Sequence, residues 1–182
     1  MNFTPFPVLE TERLVLREMN EQDEDDLFRL RADPLTHAIT DSAPDETQEQ
    51  TKAYIEKMRE GIAQNRWMIW AMQHKASGRV IGTLGIWNID EQKQTAELSN
   101  ALSPDHQGKG YMQEALARAI EYVFLQMGLT ALEAYTEEEN LPSRNLLVRL
   151  GFAETNRVDD VSKNGARIYH MVVYRKTSAL ME

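Results

Sequence analysis

Gln107-Gly108-Lys109-Gly110-Tyr111-Met112 joins a segment patterned like a strand to a strongly amphipathic helix. Gly108 and Gly110 allow a tight turn and a close approach of backbone to a ligand. The helix that follows offers unpaired N–H groups and the positive end of its dipole, so the turn reads as a pocket for a pyrophosphate. Lys109 adds a mobile positive charge at the rim. The same glycines also suit a plain strand-to-helix turn, and on this stretch alone the two readings stand level.

Two better-known glycine motifs do not fit. A P-loop requires Gly-Lys-Ser/Thr, and Gly110 is followed by Tyr111. A dinucleotide-binding fingerprint requires a third glycine where Gln113 stands, and an early βαβ unit that is missing around this mid-chain position.

The chain has 182 residues, is 42% apolar and shows neither a low-complexity tract nor an internal repeat, which suits one globular domain spanning residues 1–182. The start of the chain has no basic region followed by an apolar stretch, and no segment is apolar for long enough to cross a bilayer, so a soluble cytoplasmic protein without membrane attachment is expected. With no cysteine there are no disulfides, no thiolate metal site and no thiol nucleophile. The net charge of −9 speaks against a nucleic-acid partner. It would favour the approach of cationic partners, but it is first of all the ordinary acidity that keeps a soluble protein dispersed.

Residues 13–17 alternate like a strand, and residues 20–31 carry acids in the first turn and bases near the end, as a capped helix does. Pro34 and Pro44 bracket an irregular stretch, after which residues 46–63 have helical spacing. Residues 67–73, 80–89 and 95–102 read as strands joined by hairpin turns. Behind the glycine turn, Ala115, Leu116, Ala119, Ile120, Val123, Phe124 and Met127 form an apolar stripe, with Gly128 as a stop. Residues 131–136 read as a strand, 142–150 as a short helix ended by Gly151, and Asn164-Gly165 as the turn of a final hairpin. The order β-α-α-β-β-β-α-β-α-β-β describes a mixed α/β domain with the glycine turn where a central strand hands over to a helix.

These residues resemble the GNAT-type N-acetyltransferases, whose cofactor turn has the form Gln/Arg-x-x-Gly-x-Gly/Ala. Gln107 and Gly110 match it, and Met112 departs from its small last residue. The family's later run Asn-x-x-Ser/Ala-x-x-x-Tyr-x-Lys-x-Gly-Phe corresponds to Asn140, Ser143, Leu147, Arg149, Gly151 and Phe152. The likeness is greatest to the Rim branch, the ribosomal-protein N-terminal acetyltransferases, through Thr11-Glu12-Arg13-Leu14, Leu102-Ser103-Pro104 and Asn140-Leu141-Pro142-Ser143-Arg144. The resemblance implies a single domain with a mixed, mostly antiparallel sheet flanked by helices, and acetyl-CoA as co-substrate. It implies that Ala101 and Leu102 present backbone groups to the pantetheine arm. It also implies that Gln107, Gly108, Lys109, Gly110, Tyr111 and Met112 hold the pyrophosphate, and that Asn140 contacts the cofactor near its acyl end.

Moving an acetyl group from a thioester to an amine needs a neutral amine, a polarised carbonyl and a thiol able to leave. An α-amine titrates at about 7.7–8.0, so part of it is neutral near pH 7, whereas a lysine at about 10.4 needs more help. Glu97, on the strand leading to the cofactor turn, is the candidate base, acting through water; it also fits a solvated strand position. Leu147 stands where many family members carry a tyrosine acid. Ser143 is the candidate substitute, and serine in a first helical turn equally serves to satisfy backbone N–H groups.

His37, His74, His106 and His170 are scattered without metal-ligand spacing, so no metal is expected. Trp67, Trp70 and Trp87 suit core or sheet-face positions, one of them free to wall an acceptor groove. Glu137-Glu138-Glu139 fits a solvated loop or an attractor for a cationic substrate. The expected activity is acetylation of a primary amine by direct attack in a ternary complex, with a protein N-terminus, such as that of a ribosomal protein, as acceptor. A polyamine, amino sugar or antibiotic as acceptor, and a non-catalytic acyl-CoA-binding module, are the alternatives. Acceptor walls are expected from residues 33–62 and 158–168. Monomer and homodimer both remain open, because a final hairpin strand can pair with a second copy.

Overall fold

The structure is a computed structural model that describes residues 1–37, 43–162 and 165–178. One eight-stranded sheet runs in the order β1-β2-β3-β4-β5-β6-β8-β7. Its strands are β1 (Leu9–Glu10), β2 (Leu14–Glu18), β3 (Met68–His74), β4 (Val80–Asp90), β5 (Thr95–Leu102), β6 (Ala131–Glu137), β7 (Ala153–Val161) and β8 (Ile168–Thr177). The helices are α1 (Glu24–Ala32), α2 (Pro34–His37), α3 (Gln48–Ala63), α4 (Tyr111–Leu125) and α5 (Leu141–Arg149). The expected mixed, mostly antiparallel α/β architecture is therefore the one observed.

Strand β3 is buried on both faces, and its side chains divide by parity. Met68, Trp70 and Met72 join the α4 stripe in one core, whereas Ile69 and Ala71 join Leu27 and Leu30 of α1 and Ile55 and Met58 of α3 in a second. Helix α4 buries Ala115, Leu116, Ala119, Ile120, Val123 and Phe124 as its periodicity requires, while Met127 packs partly buried beyond its end. Ahead of α1, Asn20 Oδ1 accepts the Gln22 N–H and Asp23 Oδ2 accepts the Asn20 N–H, so the expected cap is in place.

Two short elements depart from the sequence reading. β1 adds an edge to β2, and the stretch after Pro34 forms the single-turn helix α2, where proline occupies a first helical position that needs no N–H donor. The final hairpin pairs Val161 with Ile168, but its expected turn at Asn164-Gly165 lies partly outside the described residues.

All neighbouring strands are antiparallel except β5 and β6, and this pair is short. It runs from Thr95↔Ala131 to Leu98↔Ala134. Beyond Leu98, β5 stays paired with β4 as far as Leu102↔Gly82, and beyond Ala134, β6 stays paired with β8 as far as Glu137↔Met171. Residues 99–102 and 135–137 thus face one another across an opening with no ladder between them. A bulge in β4, between Trp87 and Asp90, lies against the closed end of the pair and adds local twist there.

Gly82 sets how closely β4 and β5 approach: a Cβ there would lie 2.4 Å from the Ala101 carbonyl oxygen. Gly82→Ala is expected to destabilise the fold by about 1–3 kcal/mol through forced backbone displacement, measured as a lower urea midpoint at unchanged slope.

Candidate active site

The opening leads directly to the glycine turn. A 3₁₀ turn at Pro104–His106 follows β5, and Gln107 folds back so that its Nε2 donates to the Leu102 carbonyl at 3.1 Å. Gly108 and Gly110 take φ of 71° and 80°, conformations that side chains disfavour. Gly110 is the N-cap of α4, and the first helical bond runs from the Glu114 N–H to the Gly110 carbonyl at 3.1 Å. The N–H groups of Tyr111, Met112 and Gln113 precede that bond, and those of Gly108, Lys109 and Gly110 donate to none of the described residues. A run of free donors at the positive end of a helix suits a pyrophosphate.

Side chains of the turn point elsewhere. Met112 is 7% exposed and packs in the main core, so only its backbone is available to a ligand and its side chain does not narrow the space beside the phosphates. Lys109 Nζ lies 2.7 Å from the Asp105 carbonyl, at the rim but tethered. Tyr111 turns its hydroxyl to His74 Nε2 at 3.2 Å. The His74 and His106 rings, far apart in sequence, lie 6.2 Å apart beneath the turn. Burial, then Lys109 and His74, lowers the His106 pKa and keeps the ring uncharged at neutral pH.

Arg13 grips the turn from behind. Its Nη1 donates to the Lys109 carbonyl at 3.0 Å and its Nε to Glu114 Oε2 at 2.7 Å, while its guanidinium stacks 4.3 Å from the Tyr111 ring centre.

On the face of the sheet opposite α4, Glu97 is flanked in register by Trp87 and by Glu133, at the closed end of the opening. Glu133 is neutralised by Arg175 Nη1 at 2.8 Å, whereas Glu97 has no cationic partner among the described residues. Tyr135, just past the last rung, donates to Glu133 Oε2 at 3.3 Å. Burial, then the charges of Glu133 and Glu97, raises its pKa and keeps the phenol protonated. On the β4 side of β5, Trp87 Nε1 donates to Ser99 Oγ at 2.6 Å, and Trp67 packs 5.1 Å from Trp87. Trp70, by contrast, is a core residue. Of the three consecutive acids, Glu137 pairs with Arg167 and Glu138 with Arg157, and the exposed Glu139 has no cationic partner among the described residues.

Asn140, not Ser143, is the cap of α5: its Oδ1 accepts the Ser143 N–H at 3.2 Å. Ser143 Oγ has no partner among the described residues. Leu147 is 3% exposed, and its carbonyl accepts the Phe152 N–H at 3.0 Å while Val148 accepts that of Gly151, whose φ is 82°. This is a Schellman ending, in which Leu147 and Phe152 pack together, so leucine here serves the core and leaves no acid at that position.

The geometry agrees with the comparisons. The family profile of the acetyltransferase (GNAT) domain matches residues 13–153. The uncharacterized N-acetyltransferase p20 of Bacillus licheniformis is 31% identical over 166 residues, covering 91% of this chain and 93% of p20. In fold, the chain is similar to the ribosomal-protein-S5-alanine acetyltransferase of Vibrio fischeri, with a TM-score of 0.80, 20% identity and coverage of 95% and 97% of the two chains. It is likewise similar to spermidine N-acetyltransferase of Vibrio cholerae, solved with CoA and spermine, with a TM-score of 0.79, 20% identity and coverage of 92% and 96%. The chain belongs to the GNAT acetyltransferase family. It is an N-acetyltransferase, and acetyl-CoA is the acetyl donor of that family. Among the described residues no group of three His, Asp or Glu side chains is placed to hold a metal ion.

The sequence reading missed Arg13, Glu133, Tyr135 and the Trp87–Ser99 bridge. Pairing register alone links these last three to Glu97, and register was not available before the fold. Asn140→Ala is expected to cost about 1 kcal/mol through loss of the cap, and Ser143→Ala less than about 0.5 kcal/mol. Thermal unfolding of both variants checks the assignment.

Proposed function

We propose that the chain, working as a single domain over residues 1–182, acetylates the α-amine of a protein N-terminus, such as that of a ribosomal protein, by direct attack in a ternary complex. Acetyl-CoA supplies an acetyl thioester. The free N–H groups of residues 108–113 hold the pyrophosphate, with Gln107 bracing the turn and Lys109 at its rim. The edge of β5 at Ala101 and Leu102, beyond the last rung to β6, receives the pantetheine arm, and Asn140 lies toward the acyl end. Glu97 takes the amine proton through water, and Ser143 Oγ donates toward the leaving sulfur. Because a thiol of pKa about 8.5 leaves readily as thiolate, a weak donor at that point suffices.

The observation that carries the choice of acceptor is the charge pattern along the opening. Glu133, Glu137 and Glu138 are each matched by an arginine, whereas Glu97 at the closed end and the exposed Glu139 at the outer end have no cationic partner among the described residues. At the closed end, where Glu133 is paired, the single uncompensated carboxylate of Glu97 suits a single ammonium group of ordinary basicity. A polyamine, with several charges along its length, is better served by several free carboxylates. The fold similarity to a ribosomal-protein acetyltransferase supports the first reading, and that to a spermidine acetyltransferase makes the second the proper control.

Mass spectrometry of acetyl-CoA reactions with free-N-terminal peptides, N-blocked lysine peptides, polyamines and aminoglycosides is expected to place the acetyl group on free N-termini. Modification of polyamines alone contradicts the proposal, and binding of acetyl-CoA with no product in any class favours a binding module. Glu97→Gln is expected to lower kcat/KM by about 10²-fold or more at pH 7. The deficit should shrink toward pH 9, because an α-amine of pKa about 8 is then already neutral and needs no base. A deficit that stays constant with pH contradicts the base role.

A further inference from the structure

The segment Thr11-Glu12-Arg13-Leu14 leads into β2, and nothing in the proposed chemistry uses it. It nevertheless converges on the cofactor turn. Thr11 Oγ1 donates to Glu114 Oε1 at 2.5 Å, and the Arg13 N–H donates to the same oxygen at 2.8 Å. Arg13 Nε takes the other carboxylate oxygen at 2.7 Å, and Nη1 reaches the Lys109 carbonyl at 3.0 Å.

Two consequences follow from this geometry. A trans peptide directs its C=O and its N–H to opposite sides. Holding the Lys109 carbonyl on the Arg13 side therefore directs the Gly110 N–H away from it, toward the ligand side of the turn. Glu114 is the second point. It is an acid in the first turn of α4, where it stabilises the isolated helix and opposes a bound anion. Burial pushes its carboxyl up, but the hydrogen bonds from Thr11 and Arg13 outweigh burial and hold it below the usual range, so it is ionised at neutral pH. Arg13 places a positive charge against that carboxylate.

We propose that Arg13, which shares the Glu114 carboxylate with Thr11, is a positioning residue for acetyl-CoA: it orients the Gly108–Gly110 turn and neutralises Glu114 so that α4 accepts a pyrophosphate. The proposal rests on the reading of residues 107–112 as the pyrophosphate site. Arg13 acts through the turn and touches no reacting atom.

Calorimetric titration with CoA and with phosphate-free pantetheine separates the possibilities without any acceptor. Arg13→Met is expected to raise the CoA dissociation constant about tenfold and to leave pantetheine binding unchanged. The double variant Arg13→Met/Glu114→Gln is expected to recover most of the loss, because the repelling charge is gone. Arg13→Lys keeps the charge but lacks the planar fork that spans both partners, and should lose about threefold. Unchanged CoA affinity in Arg13→Met, equal loss for CoA and pantetheine, or no recovery in the double variant overturns the proposal. Gly110→Ala is the control for the underlying reading. If it weakens CoA and Arg13→Met does not, only the role of Arg13 fails; if neither changes CoA binding, the pyrophosphate lies elsewhere.

Discussion

A parallel pair of strands that closes at one end only organises this molecule. Parallel neighbours cannot be joined by a tight turn, so β5 and β6 are linked by a crossover that includes α4. The crossover starts at the carboxyl end of β5, which puts the N-terminus of α4 beside the opening. In open sheets the carboxyl ends of strands are where ligands gather, and here two sources of unpaired backbone groups coincide. One is the free edge beyond Leu98 and Ala134, and the other is the start of the helix. Both exist because the ladder stops short.

Charge is handled locally. The chain carries a net charge of −9 and accepts a polyanionic donor, yet distant charges are largely screened at physiological ionic strength. What matters is the neighbourhood of the turn, where dipoles and N–H groups are presented and the one acid of the helix start is bound by Thr11 and Arg13. Along the opening the same device recurs, with arginines matched to Glu133, Glu137 and Glu138. At the closed end, Glu97 has no such match among the described residues.

Periodicity made most of the fold legible. The α4 stripe, the three strands of the middle of the chain and the short helix ended by Gly151 lie where their patterns put them, within a residue or two at the ends. The glycine turn was legible because only glycine takes positive φ freely at two such positions. β1 and α2 are too short for a period to register. Contacts between distant segments were the larger blind spot. Arg13 meets Glu114, and His74 meets His106, only once the sheet sets β2 and β3 beside α4. Leu147 looked like a missing acid, and its reason is local: it closes a helix with Phe152. The direction of Met112 needed the helix rotation that burial reveals.

Amide hydrogen exchange with and without acetyl-CoA tests the central claim most directly, because it reads the very groups that the short ladder leaves unpaired. The account predicts slowed exchange in residues 99–102 and 108–113, with no change in β2 or β3 away from the opening. Protection confined to other segments, with these two unaffected, would contradict it.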